Sequence, residues 1–342
     1  MSTLSQFFSG GASAILTHAI IGISRTYVVP MTGKYVAIVL GAGGSGAAGG
    51  SGDIAYSSSN VCVSGGSAGG LGVKLLSLTA GASLTATIGA GAPPAVSAQN
   101  GAAGGATTLA GSGFSTVTAY GGAGGLRAVS AEVAGVAGGG ILNCDFGFTG
   151  GSSGSCSWTN GGGAATGGGA VNIGYNTVSG NATVVSSSTH AASGGAGMGG
   201  SSGNVVVSGD YQNGASGGGG THPVYGTSGK VFGGTISFGG LPMCTNGSVY
   251  YPPWLMFPGI AAGAGGNGMS TATITPGGIG AGSGGIANNG ALGGGGGGLS
   301  ASKSNNAASA GNGGLGAGGG GDTAYSYSGA GGNGLIIIYR IA

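Results

Sequence analysis

The chain has 342 residues, of which 93 are glycine, with seven basic and five acidic side chains and a formal net charge of +2. That balance excludes an ordinary enzyme composition, and so little charge on so long a chain excludes the basic footprint of a nucleic-acid binder. A mean hydropathy of +0.36 separates it from the charged, apolar-poor chains that stay disordered, leaving a flexible Gly/Ser linker as the bland reading of its tracts.

Residues 1–30 carry Leu4, Phe7, Phe8, Ile15, Leu16, Ile20, Ile21 and Ile23 with only a short glycine break. They read as an N-terminal attachment segment for a partner protein. The competing reading is a leading strand, with Arg25 to Val29 paired in the first sheet. No Lys or Arg precedes the apolar part, so no secretory signal is expected, and Thr17, His18, Ser24 and Arg25 interrupt the one window apolar enough to suggest a membrane helix.

Pro30 and Thr32-Gly33 turn the chain into Tyr35 to Leu40, a run of β-formers that empties into Gly41 to Gly52, where side chains nearly vanish. Further strands are expected at Leu75 to Leu78 and Leu84 to Ile88, joined as a tight hairpin through Thr79-Ala80-Gly81-Ala82, then at ATTLAG and FSTVTAY. Leu335 to Ile341 closes the chain as a strong strand, expected in one sheet with Gly33 to Leu40. Between 127 and 334, glycine tracts alternate with segments of normal side chains, which are expected to gather as loops at the two ends of the tracts.

Ordering a glycine tract costs about 1–2 kcal/mol per residue in backbone entropy, with no side chain to offset it. Backbone hydrogen bonds and close backbone packing are what remain. Collagen is excluded, because the chain has nine prolines and tracts such as Gly293 to Gly298 keep no Gly-X-Y triplet. The expected fold is therefore mostly β and irregular: β-sandwich-like antiparallel strands with a bundle of packed glycine polyproline II helices, and little or no α-helix. The domain plan is an attachment segment at 1–30 and one glycine-rich domain at 31–342. Within it lie a strand-rich part at 31–126, a glycine-helix and loop part at 127–334, and a closing strand at 335–342.

Motifs of chemistry are weak. GGSAG around Ser67 and GGSSG around Ser152 match the GxSxG nucleophile elbow, which needs a strand-to-helix turn with acid and histidine partners. A glycine-rich chain with three histidines produces that pattern by composition. Glu132, Asp53, Asp145, Asp210 and Asp322 are scattered, so no catalytic residue is assigned. Cys62, Cys144, Cys156 and Cys244 lack CxxC spacing, and no metal or cofactor is expected. Cys144 and Cys156 are near enough in sequence to pair across a loop, against which stands a reducing compartment of synthesis. The Asn-x-Ser/Thr triplets at Asn181 and Asn246 are chance matches unless the host is eukaryotic.

The local anomaly is aromatic. Tyr250, Tyr251, Trp254 and Phe257 sit among Pro252, Pro253 and Pro258, so an irregular loop is expected there. With Trp158 they are the candidate recognition residues, on loops at 141–160 and 221–258. The competing reading is a small packing cluster, and Phe146 and Phe148 share it.

The phrases TGKYVAIVLGAGGSG, VKLLSLTAGASLTATIGAG, NGAAGGATTLAG, STVTAYGGAGG and GAGGNGLIIIYRIA, in that order, resemble the glycine-rich domains of bacteriophage tail fibres and distal fibre adhesins. The opening strand into GAGG is also similar to the glycine-rich extracellular region of the anaplastic lymphoma kinase receptor. The resemblance spans residues 31–126 and 329–342, and it implies glycine helices bundled against β-structure. It further implies a non-enzymatic virion protein, made in the host cytoplasm in multiple copies, whose residues 1–30 bind other virion proteins and whose loops bind a host-surface protein or glycan. The alternative is a capsid fibre or decoration protein with a purely structural role, and a more distant one is an ice-binding layer.

Overall fold

The computed structural model describes residues 18–50, 61–129, 131–158, 162–172, 181–184, 189–193, 195–196, 204–207, 213–215, 244–245, 248–249, 295–296, 310–323 and 327–341. Among these the structure is mostly β, with no helix. The first strands are β1 (His18–Ile21), β2 (Arg25–Val28), β3 (Gly33–Leu40), β4 (Val61–Val63), β5 (Leu71–Leu78), β6 (Ser83–Thr87), β7 (Thr107–Gly111), β8 (Phe114–Ala119) and β9 (Arg127–Val129). They are followed by β10 (Ile141–Leu142), β11 (Phe146–Phe148), β12 (Cys156–Trp158), β13 (Gly162–Ala165), β14 (Ala182–Val184), β15 (Thr189–Ala192), β16 (Val205–Val207) and β17 (Asn213–Ala215). A two-residue pair, β18 (Cys244–Thr245) with β19 (Ser248–Val249), and the closing β20 (Leu335–Arg340) complete the set.

Two five-stranded antiparallel sheets enclose the main core. The first runs β1-β20-β3-β5-β11 and the second β10-β8-β7-β6-β2. As the strand character at the two ends requires, β20 pairs with β3 along its whole length, from Leu335 opposite Leu40 to Arg340 opposite Tyr35. Alternation sends Tyr35, Ala37, Val39, Ile336 and Ile338 inward to meet Leu84, Leu109 and Val117 of the second sheet. The Tyr35 hydroxyl, carried into this apolar space, donates to the Met31 carbonyl at 2.6 Å.

Three sequence expectations are corrected here. A boundary at residue 30 does not separate the N-terminal strands: β1 pairs with β20 and β2 with β6, so residues 18–28 belong to the same two sheets. The leading-strand reading holds for this part as to strand, but Arg25–Val28 pairs in the second sheet and not in the first. Ile21 and Val29 are buried in the common core, which is why these residues cannot hang free of it. The turn at 79–82 is tight, with Gly81 at a φ of 81°, but it joins β5 of one sheet to β6 of the other and makes no hairpin. The amide of Gly81 and the carbonyl of Ala82 are instead bound to the backbone of Val29 at the end of β2.

The third correction concerns the middle. The sequence suggests a loop over 141–160, yet this stretch supplies β10 to the second sheet, β11 to the first and β12 to a separate parallel sheet. From there the strands stack as rungs: β12-β14-β16 form one parallel sheet, and β17-β15-β13-β4 form another that β9 edges antiparallel. Cys156, Ala182 and Val205 stand in register, as do Gly163, His190 and Asn213. Asparagines tie the rungs, the Asn181 Oδ1 accepting from the Ser155 amide and the Asn204 Oδ1 from the Asn181 amide. An Asn directly before a short Thr/Val strand recurs in the sequence at 181 and 204, and that repeat is the one signal of the rungs that the sequence offers.

Between the sheets and the rungs run extended glycine segments. Residues 41–49 lie at their centre, fully buried. The amides of Gly41, Gly44 and Ala47 donate to the carbonyls of Gly70, Ser67 and Ser64, and those of Ala42, Ser45 and Ala48 donate to Gly105, Ala102 and Gln99. The amides of Gly43 and Gly46 donate to Gly332 and Gly329. Every third residue thus faces the same neighbour, whereas a β-strand alternates every second. Carbonyls of the same segment accept from the amides of Gly122 and Gly125, of Gly319 and Asp322, and of Ala92. Segments this close leave no room for side chains: a Cβ on Gly43 or Gly46 would lie inside the backbone of Ala317 or Gly320.

Candidate functional site

Tyr250, Tyr251, Trp254 and Phe257 lie outside the described residues. Trp158 ends β12 opposite Val184 of β14. Phe146 and Phe148, which share its two readings in the sequence, are on β11 in the first sheet, so the aromatics of 141–160 belong to different sheets.

Cys144 and Cys156 do not pair; Cys62, Cys144 and Cys156 are free thiols. Cys156 is buried with Cys62, Val133, Ala164 and Ala182, because β12 packs beside β4. Burial, with the Cys62 thiol as neighbour, pushes the Cys156 thiol well above its usual pKa. Cys144 lies elsewhere, over Gly72 of β5, where a Cβ would meet its Sγ. Desolvation raises its pKa too, against the opposing pull of Lys74.

Ser67 is fully buried, and its hydroxyl accepts from the Ala123 amide at 2.7 Å while donating to the Ala137 carbonyl at 2.6 Å. It is a backbone tie, its proton already committed to a carbonyl. Asp145 caps β11. Its amide donates to the Val73 carbonyl, its Oδ2 accepts from the Leu75 amide at 2.7 Å and its Oδ1 meets the Lys74 ammonium at 2.6 Å. The Lys74 hydrogen bond and then the Leu75 amide hold the carboxyl below the usual Asp range. No group of three or more metal-ligating side chains occurs among the described residues.

The two sheets turn different mixtures of residues outward. Register places Ile20, Ile337, Ile38, Val73 and Phe146 in one row across the outer face of the first sheet. A second row holds Tyr339, Val36 and Leu75, and a third Leu335, Leu40, Leu71 and Phe148. Ile20, Leu75 and Phe146 are 61%, 54% and 56% exposed, whereas Val36 and Val73 in the same rows are buried. The third row is partly covered, since the turn at Gly316 sits against Leu40. The outer face of the second sheet aligns Thr87, Thr108, Thr118 and the exposed Leu142 in one row and Thr26 with Thr85 in another, beside the exposed Val28. Nothing in the composition separates these faces; it takes the pairing register to see them.

No protein-family model matches the chain, and no curated protein matches it.

Proposed function

We propose that the chain is a phage virion structural protein, a tail-fibre or fibre-tip adhesin that presents host-binding segments on a rigid glycine scaffold. In this reading the two facing sheets form a β-sandwich, and the glycine segments are polyproline II helices packed as a bundle beside it. The observation that carries it is the spacing of the amides of residues 41–49, which return to the same neighbour every third residue. Three residues per turn is the period of polyproline II. Such packing consumes backbone donors and acceptors in every direction and leaves no room for a substrate between the segments, so recognition falls to segments that carry side chains. The ordered series of strand phrases in the sequence supports the virion assignment.

Purified protein added to host cells should bind them and block infection by the parent phage. Trp254→Ala with Tyr251→Ala should weaken that binding at least tenfold without altering the melting temperature. Particles that need the protein for assembly while the purified protein neither binds cells nor blocks infection would favour the decoration role.

A further inference from the structure

We propose that Cys62 and Cys156 are a latent disulfide, closed when the chain meets a low-molecular-weight disulfide such as oxidised glutathione. Register brings the two cysteines together from different sheets. In one sheet Ala128 of β9, Cys62 of β4 and Ala164 of β13 stand in a row. In the other, Cys156 of β12 stands beside Ala182 of β14, and Val133 extends that row through an isolated bridge to Cys156. These six residues belong to one cluster, five of them buried and Ala128 packed against it, so the two rows meet face to face. Both cysteines are buried, and each thiol has the other as its neighbour across the contact.

A disulfide needs Cα atoms about 4.4–6.8 Å apart, whereas stacked sheets ordinarily stand about 10 Å apart, too far for one. Here the facing rows hold only alanine, cysteine and one valine, and Cα atoms of β4 and β12 come within 8 Å of each other, which leaves little approach for the bond to make. The same small side chains supply its purpose. Alanines bury little apolar area to hold the two sheets together, and a bond from β4 to β12 spanning residues 63–155 adds a constraint that grows with the loop it closes. Cys144 is no rival partner, since its Sγ lies over Gly72 of β5. In the exchange one cysteine thiolate attacks the small disulfide and expels a thiol. The second thiolate then attacks the cysteine sulfur of that mixed disulfide and expels the other, so the pair loses two electrons and its two protons end on the two released thiols. Both sulfurs are out of water, so attack waits on a brief parting of β4 and β12.

The reduced full chain should be held in equal, millimolar oxidised and reduced glutathione with urea just below its unfolding transition, then alkylated and digested. Peptide mass mapping should find Cys62 joined to Cys156 in at least tenfold excess over chains with both cysteines alkylated. In a chain carrying Cys144→Ser and Cys244→Ser, the linked form should melt several degrees above the reduced form, and dithiothreitol should reverse the gain. Should that variant fail to fold, the wild-type chain melted before and after dithiothreitol serves the same purpose. Both thiols recovered after the treatment, glutathione retained on either cysteine, or Cys156 joined instead to Cys144 or Cys244 overturns the inference. So does a linked chain that melts no higher than the reduced one.

Discussion

Serine has a specific task in the glycine segments. Ser45, Ser64, Ser67, Ser153 and Ser328 each donate their amide to the carbonyl of a residue in a neighbouring segment and take that same residue's amide on their Oγ. The partners are Ala102, Leu126, Ala123, Val136 and Ala95, all residues with a side chain. The hydroxyl thus stands in for a carbonyl the packing does not bring close enough. Ser67→Ala should cost about 1–3 kcal/mol, the cost of a buried donor left unmade. Ser67→Gly should cost no less, although glycine is the commonest residue around it; urea midpoints decide this, and a Gly variant as stable as wild type would refute it. In the sequence Ser64 and Ser67 stand three apart and face the same segment, a spacing that was legible, but their partners at 126 and 123 were not.

Asp145 gives a pH signature of definite sign. Its carboxyl pKa is depressed in the folded chain, so the stabilisation from Lys74 and the Leu75 amide is present above the ordinary Asp pKa of about 3.9 and is lost as pH falls through the lower folded value. Comparing denaturant midpoints of wild type and Lys74→Met should give a small difference at neutral pH that shrinks as the pH is taken down below the ordinary Asp range. The pair is partly exposed, so added salt should shrink the difference as well. A gap that widens toward acid would contradict the assignment.

At the scale of elements, the glycine segments and the strands answer to different rules. Val in place of Gly46 would drive its side chain into the backbone of Gly320, and in place of Gly296 into that of Gly311. Neither neighbour can move without breaking bonds to others, so each variant should lose about 4 kcal/mol or more, or fail to fold. Around Gly22 the space that a Cβ would occupy is open to 4 Å, and Gly22→Ala should be neutral to within about 0.5 kcal/mol in the same thermal melts. Equal melting temperatures for all three would sink the close-packing account. Strand positions were legible wherever β-formers ran unbroken, as in β3, β5 and β20. The short rungs β12 to β17 were not, because three or four residues between glycine tracts give too little alternation to distinguish a strand from a loop.

For the whole molecule, the sequence by itself determined that the described residues are mostly β, that glycine segments such as 41–49 must be held by backbone, and that β20 joins β3. Those conclusions follow from local facts: β-branched runs favour strands, and a tract without Cβ atoms has only amides and carbonyls to offer. Tertiary structure decided which partner each amide meets, which sheet each strand enters, and which sheet face is left apolar. Gly43 binds Gly332 and Gly91 binds Asn333 across more than two hundred residues, and a glycine has no side chain with which to encode such a choice. For the segments that adjoin β3 and β20, the pairing of those two strands along their length places 41–49 and 329–334 together. That is also why β1 and β2 became parts of the two sheets rather than a separate segment: Ile21 and Val29 complete a core drawn from residues 35–119 together with Ile336 and Ile338 at the far end of the chain.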